Sequence, residues 1–221
     1  MCLIVSPLEL QKNGSESFFP GLGEVSVSLD KMPVRHKIEY VCWKDFPYRP
    51  EVSFKISYSH EEIFLKFFVR EKYFKAGMTE INQPVWEDSC VEFFVSPAGD
   101  GIYYNFEFNG IGTCYMGCGT GRYDSRPAHI DFVSRIRTLS SLEKKPYKET
   151  QGDIYWELVA AIPVSVFFRH KISSPAGRMM TGNFYKCGDR LKEPHYLAWR
   201  PVISGKPDFH RPEYFGKLQF S

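Results

Sequence analysis

Along much of the chain apolar and polar residues alternate with period two, the pattern of strands that bury one face. Val52-Ser53-Phe54-Lys55-Ile56-Ser57-Tyr58 is the cleanest case, and the short turn Ser59-His60-Glu61-Glu62 leads into Ile63-Phe64-Leu65-Lys66-Phe67-Phe68-Val69. These runs predict a hairpin. A second hairpin is predicted from Cys90–Val95 and Ile102–Asn109, because Pro97, Gly99 and Gly101 between them supply turn chemistry. In its second strand Asn105, Glu107 and Asn109 share one face, and Tyr104, Phe106 and Phe108 share the other. One face is polar and the other is core.

Weaker alternation predicts strands over Ile38–Trp43, Ile154–Ile162, Thr181–Cys187, His195–Trp199 and Phe215–Phe220. Pro163-Val164-Ser165-Val166-Phe167-Phe168 reads as a single helical turn with Pro near its start. Leu22–Lys31 stays open: Leu22, Val25 and Leu29 recur at helical spacing, yet Val25-Ser26-Val27-Ser28-Leu29 alternates like a strand. Residues 1–20, with Asn13-Gly14-Ser15 and Pro20, read as a strand or arm followed by a loop, and Gly117–Arg126 and Ser140–Gly152 read as loops. About ten short strands with one or two short helices predict an all-β antiparallel β-sandwich of immunoglobulin or jelly-roll type. No repeat or long linker interrupts residues 1–221, so a single domain is expected.

Composition sharpens the class. Aromatic residues make up 16%, with 19 Phe and 13 Tyr, an excess that suits pleated surfaces. Lys and Arg number 28 against 26 Asp and Glu, interspersed, so no field gathers a polyanion and nucleic acid is not an expected partner. Six Cys without regular spacing predict reduced thiols rather than a disulfide framework. The N-terminus carries no basic leader and no apolar stretch approaches the ~20 residues of a membrane helix. The expectation is a soluble, cytoplasmic protein with no membrane partner, or a secreted or periplasmic one if a leader has been removed; oligomeric state is open.

The most informative stretch is Pro84-Val85-Trp86-Glu87-Asp88-Ser89-Cys90-Val91-Glu92-Phe93-Phe94. Trp86 precedes a strand, where an indole is harder to bury, and Glu92 alternates away from Val91 and Phe93. A loop tryptophan beside carboxylates suits a sugar, whose CH face stacks on a ring while its hydroxyls take directional hydrogen bonds. Trp199, before Pro201, is expected at a strand end with its ring projecting from a loop, as a second wall.

These residues carry a resemblance. Trp86 to Phe94, the strand through Asn105, Glu107 and Asn109, and Trp199 followed by Phe215-Gly216-Lys217-Leu218 resemble the family 9 carbohydrate-binding modules, and the chain looks like their stand-alone bacterial relatives from about Ile38 onward. The resemblance implies a β-sandwich, with structural calcium in some members. It also implies two tryptophans sandwiching a terminal sugar ring and an acidic residue six positions after the first, which Trp86, Glu92 and Trp199 match. Where those modules present Arg and Asn two apart, this chain offers Asn105 and Glu107, which puts a reducing-end preference in doubt. The ligand set is therefore Trp86, Glu92, Asn105, Glu107 and Trp199, with Tyr103, Tyr185 and Arg190 at the rim, and the ligand a mono- or oligosaccharide bound without catalysis. A role in polysaccharide use or in sensing is left open.

Rival readings draw on the same residues. Glu92 and Glu107 could form the carboxylate pair of a glycan-active hydrolase. Cys114 and Cys118 stand four apart, with Cys187, His195 and His210 later, but no second close pair completes a four-ligand set, and no metal ligands are assigned. The sandwich class also resembles haem-binding domains, for which Met78, Met116 or Met179 would serve, although packed thiols and gap-filling methionines explain these residues more simply. No cofactor is expected to be required. Arg122, Arg126, Arg135 and Arg137 read as a solvated rim, Arg190 and Lys192 as flanks of the slot, and His210-Arg211-Pro212-Glu213 as a brace for the last strand.

Overall fold

The computed structural model describes residues 2–9 and 19–221; the loop expected at Asn13-Gly14-Ser15 lies outside them. In chain order the strands are β1 (Leu3–Val5), β2 (His36–Lys37), β3 (Tyr40–Val41), β4 (Glu51–Tyr58), β5 (Glu62–Ala76), β6 (Cys90–Ser96) and β7 (Tyr103–Asn109). They continue with β8 (Cys114–Gly119), β9 (Arg126–Pro127), β10 (Arg137–Ser140), β11 (Tyr147–Pro163), β12 (Met179–Cys187), β13 (Tyr196–Ala198) and β14 (Gly216–Phe220). Two helices, α1 (Leu22–Lys31) and α2 (Ile130–Val133), and three single 3-10 turns complete the described chain. No helix among the described residues is long and apolar enough to cross a membrane.

Two sheets face each other. The larger runs β1-β14-β12-β6-β7-β8-β9, with β13 and β3 added beside β12; the smaller runs β10-β11-β5-β4-β2. Both predicted hairpins form, as β4–β5 and β6–β7. The pairing is antiparallel except for β1 beside β14 and one isolated parallel bridge from Pro7 to Tyr58. Between the sheets lies the main core, in which Phe54, Phe67, Phe93, Phe106, Trp156 and Phe184 are all fully buried.

Three stretches differ from expectation. Leu22–Lys31 is a helix: Val25 and Leu29, one turn apart, are buried against Phe64, Val159 and Ala161, while Val27 is 55% exposed. A spacing of four satisfies both helical and strand periods, and the exposure of Val27 shows which one won. The Gly-rich run Gly117–Arg126, expected to be all loop, begins with the last three residues of β8, where space is tight: a Cβ at Gly117 would lie 2.5 Å from Asn105 Oδ1. The polar run expected to be a loop up to Gly152 is strand from Tyr147 onward: β11 pairs there with β5 across two register shifts, and Lys148–Asp153 are exposed while Tyr73 and Phe74 opposite them are buried.

The polar face of β7 is not solvated. Tyr103, Asn105, Glu107 and Asn109 are buried there beneath a second apolar cluster that includes Trp43, Val85, Phe94, Tyr185 and Phe209. Segments around residues 43–46 and 202–215 supply this cover, turning the outer face of the larger sheet into the base of a concavity.

Candidate functional site

The pleat of three adjacent strands builds the floor. Glu92 on β6 stands directly opposite Glu107 on β7, which stands opposite Tyr115 on β8; one step along, Phe94 stands opposite Asn105. Glu92, Asn105 and Glu107 line a cavity of about 430 Å3 together with Phe46, Trp86, Phe94, Tyr115, Cys187, Tyr196 and Phe209. That volume is within the range of about 300–1,000 Å3 usual for small-ligand sites. Asn105 Nδ2 donates to Glu107 Oε1 at 2.8 Å, and Cys187 Sγ donates to Glu92 Oε1 at 3.0 Å. Gly117 leaves the space that the Asn105 amide occupies.

Trp86 lies in a 3-10 turn, Val85–Glu87, held at both sides. Buried Asp88 accepts hydrogen bonds from Met78 N at 2.9 Å and Asn109 Nδ2 at 3.0 Å, while the Trp86 carbonyl accepts from Asp189 N at 2.9 Å. The indole is half-buried and meets the Tyr115 ring edge-on at 5.1 Å. A second aromatic group lines the cavity where Phe46 meets Tyr196 edge-on at 4.9 Å and Tyr196 meets Phe209 at 6.0 Å.

Trp199 is not in this wall. Along β13 the pleat puts Tyr196 and Ala198 toward the cavity cluster and Leu197 and Trp199 toward the inter-sheet core, so the expected second tryptophan points the wrong way by one residue. Its ring is 8% exposed and packs edge-on against Phe54 at 6.2 Å and Phe184 at 5.7 Å. Gly216 passes so close that a Cβ there would sit 2.6 Å from the ring.

The expected rim residues also divide. Tyr103 and Tyr185 are fully buried beneath the cavity: the Tyr103 hydroxyl lies 2.7 Å from His210 Nδ1, and Tyr185 stacks on Phe209 at 4.1 Å. Arg190 is exposed, with its Nε 3.8 Å from Glu87, and does not line the cavity. Lys192 sits over Tyr73, and Arg137 is bound to the buried Glu62 rather than solvated. The rim is instead Arg122, Asp189, Lys206, Asp208 and His210, with Arg122 Nη1 3.5 Å from Asp208 Oδ1. His210 is thus part of the cavity rather than a brace for β14. Asp189 and Tyr196 stood inside a stretch that already read as a wall; the loop residues carry no periodic signal.

Burial dominates the electrostatics. Loss of water raises Glu107 to about 8 and Glu92 well above the usual carboxylate range, with Glu107 across the strand pair adding to the shift of Glu92 and Asp189 adding to that of Glu107. At neutral pH the pair therefore holds protons and can both donate to and accept from hydroxyl groups. Burial also lowers His210 from 6.5 to about 4. A histidine kept neutral in the fold contributes stability that is complete above pH 6.5 and fades as pH falls toward 4. His210→Gln should flatten that part of a curve of unfolding free energy against pH, by up to about 1.4 kcal/mol per pH unit. Identical slopes for parent and variant would dismiss this assignment.

The metal and haem sets weighed from sequence do not assemble. Cys114 and Cys118 face the inter-sheet core, while Cys187 lies on the opposite face of the same sheet. Met116 is buried in the core, Met78 packs in the outer cluster and Met179 is 49% exposed. Among the described residues one group of three metal-ligating side chains gathers, Cys90, Glu92 and Cys187.

Comparison with known proteins bears on the fold and the family. A search of curated proteins finds no match. A crystal structure of a candidate carbohydrate-binding protein from Bacteroides uniformis ATCC 8492 is 40% identical, with each chain covered over 99% and a TM-score of 0.90. A family 9 carbohydrate-binding module from Caldicellulosiruptor kristjanssonii in complex with glucose shares the fold at 12% identity, a TM-score of 0.61, and coverage of 100% of this chain and 96% of that one. The same kind of module in complex with cellotriose gives 12%, 0.59, 100% and 94%. The family model described as "Carbohydrate-binding family 9" matches residues 24–220. Matched along nearly all of its described length, the chain belongs to carbohydrate-binding family 9.

Proposed function

We propose that the cavity over β6, β7 and β8 binds one or two rings of a neutral sugar without altering them. The observation that carries this reading is the half-buried Trp86, braced by Tyr115, beside the floor of Glu92, Asn105 and Glu107. The indole offers a flat apolar face to the CH side of a pyranose. Glu92, Glu107 and Asn105 offer donors and acceptors to its hydroxyls, and Phe46 and Tyr196 replace Trp199 as the second wall. The Glu92 and Glu107 pair serves as this hydrogen-bonding base and not as hydrolytic machinery, in keeping with a family of binding modules. The glucose and cellotriose of the two Caldicellulosiruptor complexes are the first ligands to try.

The test is titration calorimetry with glucose, cellotriose and a panel of further oligosaccharides. Trp86→Ala should weaken binding of the preferred sugar by about 1–3 kcal/mol, or roughly 5- to 150-fold, with the melting temperature little changed because the ring is only half-buried. Unchanged affinity in a folded Trp86→Ala protein would remove the stacking wall from the reading.

A further inference from the structure

Beneath the cavity, β6 and β12 bring two thiols and a carboxylate together. Cys90 and Cys187 are directly opposed in the antiparallel ladder, and Glu92 lies two residues beyond Cys90 on the same face. Donor atoms of all three lie within 4.8 Å of one another, and all three residues are buried. We propose that Cys90, Cys187 and Glu92 form a site for a thiophilic divalent cation of the zinc class.

The geometry requires little movement. With metal–sulfur bonds of about 2.3 Å, a tetrahedral ion holds its two sulfurs about 3.8 Å apart. Directly opposed residues of an antiparallel pair have Cβ atoms about 4.5–5.5 Å apart, so side-chain rotation alone can set that distance. The strands are interior to the larger sheet, with β14 on one side and β7 on the other, which fixes their register. Two sulfurs and one oxygen suit zinc or cadmium and not calcium or magnesium. Because Cys187 and Glu92 line the cavity, the ion is reached from there and keeps one position open to water.

No salt bridge among the described residues competes for the carboxyl groups of the site. Among the described residues neither Glu92 nor Glu107 takes part in an ion pair, and the nearby Lys186 ammonium is bound to Glu71 at 2.9 Å. Binding would release the two thiol protons and the Glu92 carboxyl proton to solvent and leave the cation with two thiolates and one carboxylate. The cluster shares Glu92 and Cys187 with the sugar cavity, but its test uses no sugar, so either proposal can fail alone.

The experiment titrates Cd2+ into the full chain under reducing conditions and follows the thiolate-to-cadmium charge-transfer band in the ultraviolet. One equivalent should saturate the band, and Zn2+ should displace it. Cys90→Ser and Cys187→Ser should abolish the band, whereas Cys114→Ser should keep it. Glu92→Gln, nearly isosteric and therefore the safeguard against misfolded cysteine variants, should weaken Cd2+ binding at least about tenfold. The proposal is overturned by the lack of a stoichiometric band, or by a band that survives Glu92→Gln unweakened and disappears in Cys114→Ser.

Discussion

Trp199→Ala is expected to destabilise the protein by about 3–5 kcal/mol, read from guanidinium unfolding, while the folded fraction binds sugar nearly as the parent does. The ring is 8% exposed and is held between Phe54, Phe184 and the closely passing Gly216 backbone. Its removal leaves a cavity bounded by two sheets paired along their lengths, which limits collapse into the space. Calorimetry on the same variant separates the two roles of a tryptophan in this fold. A variant as stable as the parent that has lost its sugar would return Trp199 to the binding site.

The second large effect is expected at Lys186. Its side chain points between the sheets, where Nζ meets Glu71 Oε2 at 2.9 Å, donates to the Cys187 carbonyl at 2.9 Å and lies 3.0 Å from His195 Nε2. Glu71 Oε1 accepts from Trp156 Nε1 at 2.7 Å, and His195 Nδ1 lies 3.0 Å from the Glu193 carbonyl. Burial and the adjacent ammonium push His195 well below 6.5, which keeps it neutral, with Nε2 free to accept from Lys186. Glu71 Oε2 is buried with no hydrogen bond and has the Lys186 ammonium as its ion-pair partner, so the network is stable only as a whole. Lys186→Met leaves the Glu71 charge uncompensated in the core and should cost about 3–5 kcal/mol. Adding Glu71→Gln should restore much of that loss, since the remaining amide is neutral. Chemical denaturation of the single and double variants checks this; additive losses would mean that the two groups do not act as a pair.

Strand alternation made the two hairpins and the polar face of β7 legible, because each side chain there is assigned to a face by parity alone. Trp199 was misplaced because, as the last residue of its predicted strand before Pro201, its ring was expected to project from a loop instead of following the alternation. Continuing the alternation from Leu197 turns that ring into the core and Tyr196 toward the cavity. Glycines hid β8, since a residue that makes room for Asn105 reads locally as a turn. The start of β11 was hidden because its residues Lys148–Asp153 are exposed and leave no apolar period. Trp86, Glu92, Asn105 and Glu107 were found from neighbouring strands and converge in one cavity. Phe46, Arg122, Asp208 and His210 arrive on loops, and their approach is set by tertiary packing that no local pattern records.

The parallel ladder of β1 with β14 pairs Leu3 with Leu218 and Val5 with Phe220, joining segments more than 200 residues apart in the chain. Closing a loop that long adds only slowly to the entropic cost, yet contacts of such separation slow folding. This seam should therefore be among the last to form, and until then the free side of β14 is an open hydrogen-bonding edge. In that interval a neighbouring molecule's strand can take the place reserved for residues 3–5, so crowding during folding, rather than weakness of the finished protein, is where misassembly is to be sought.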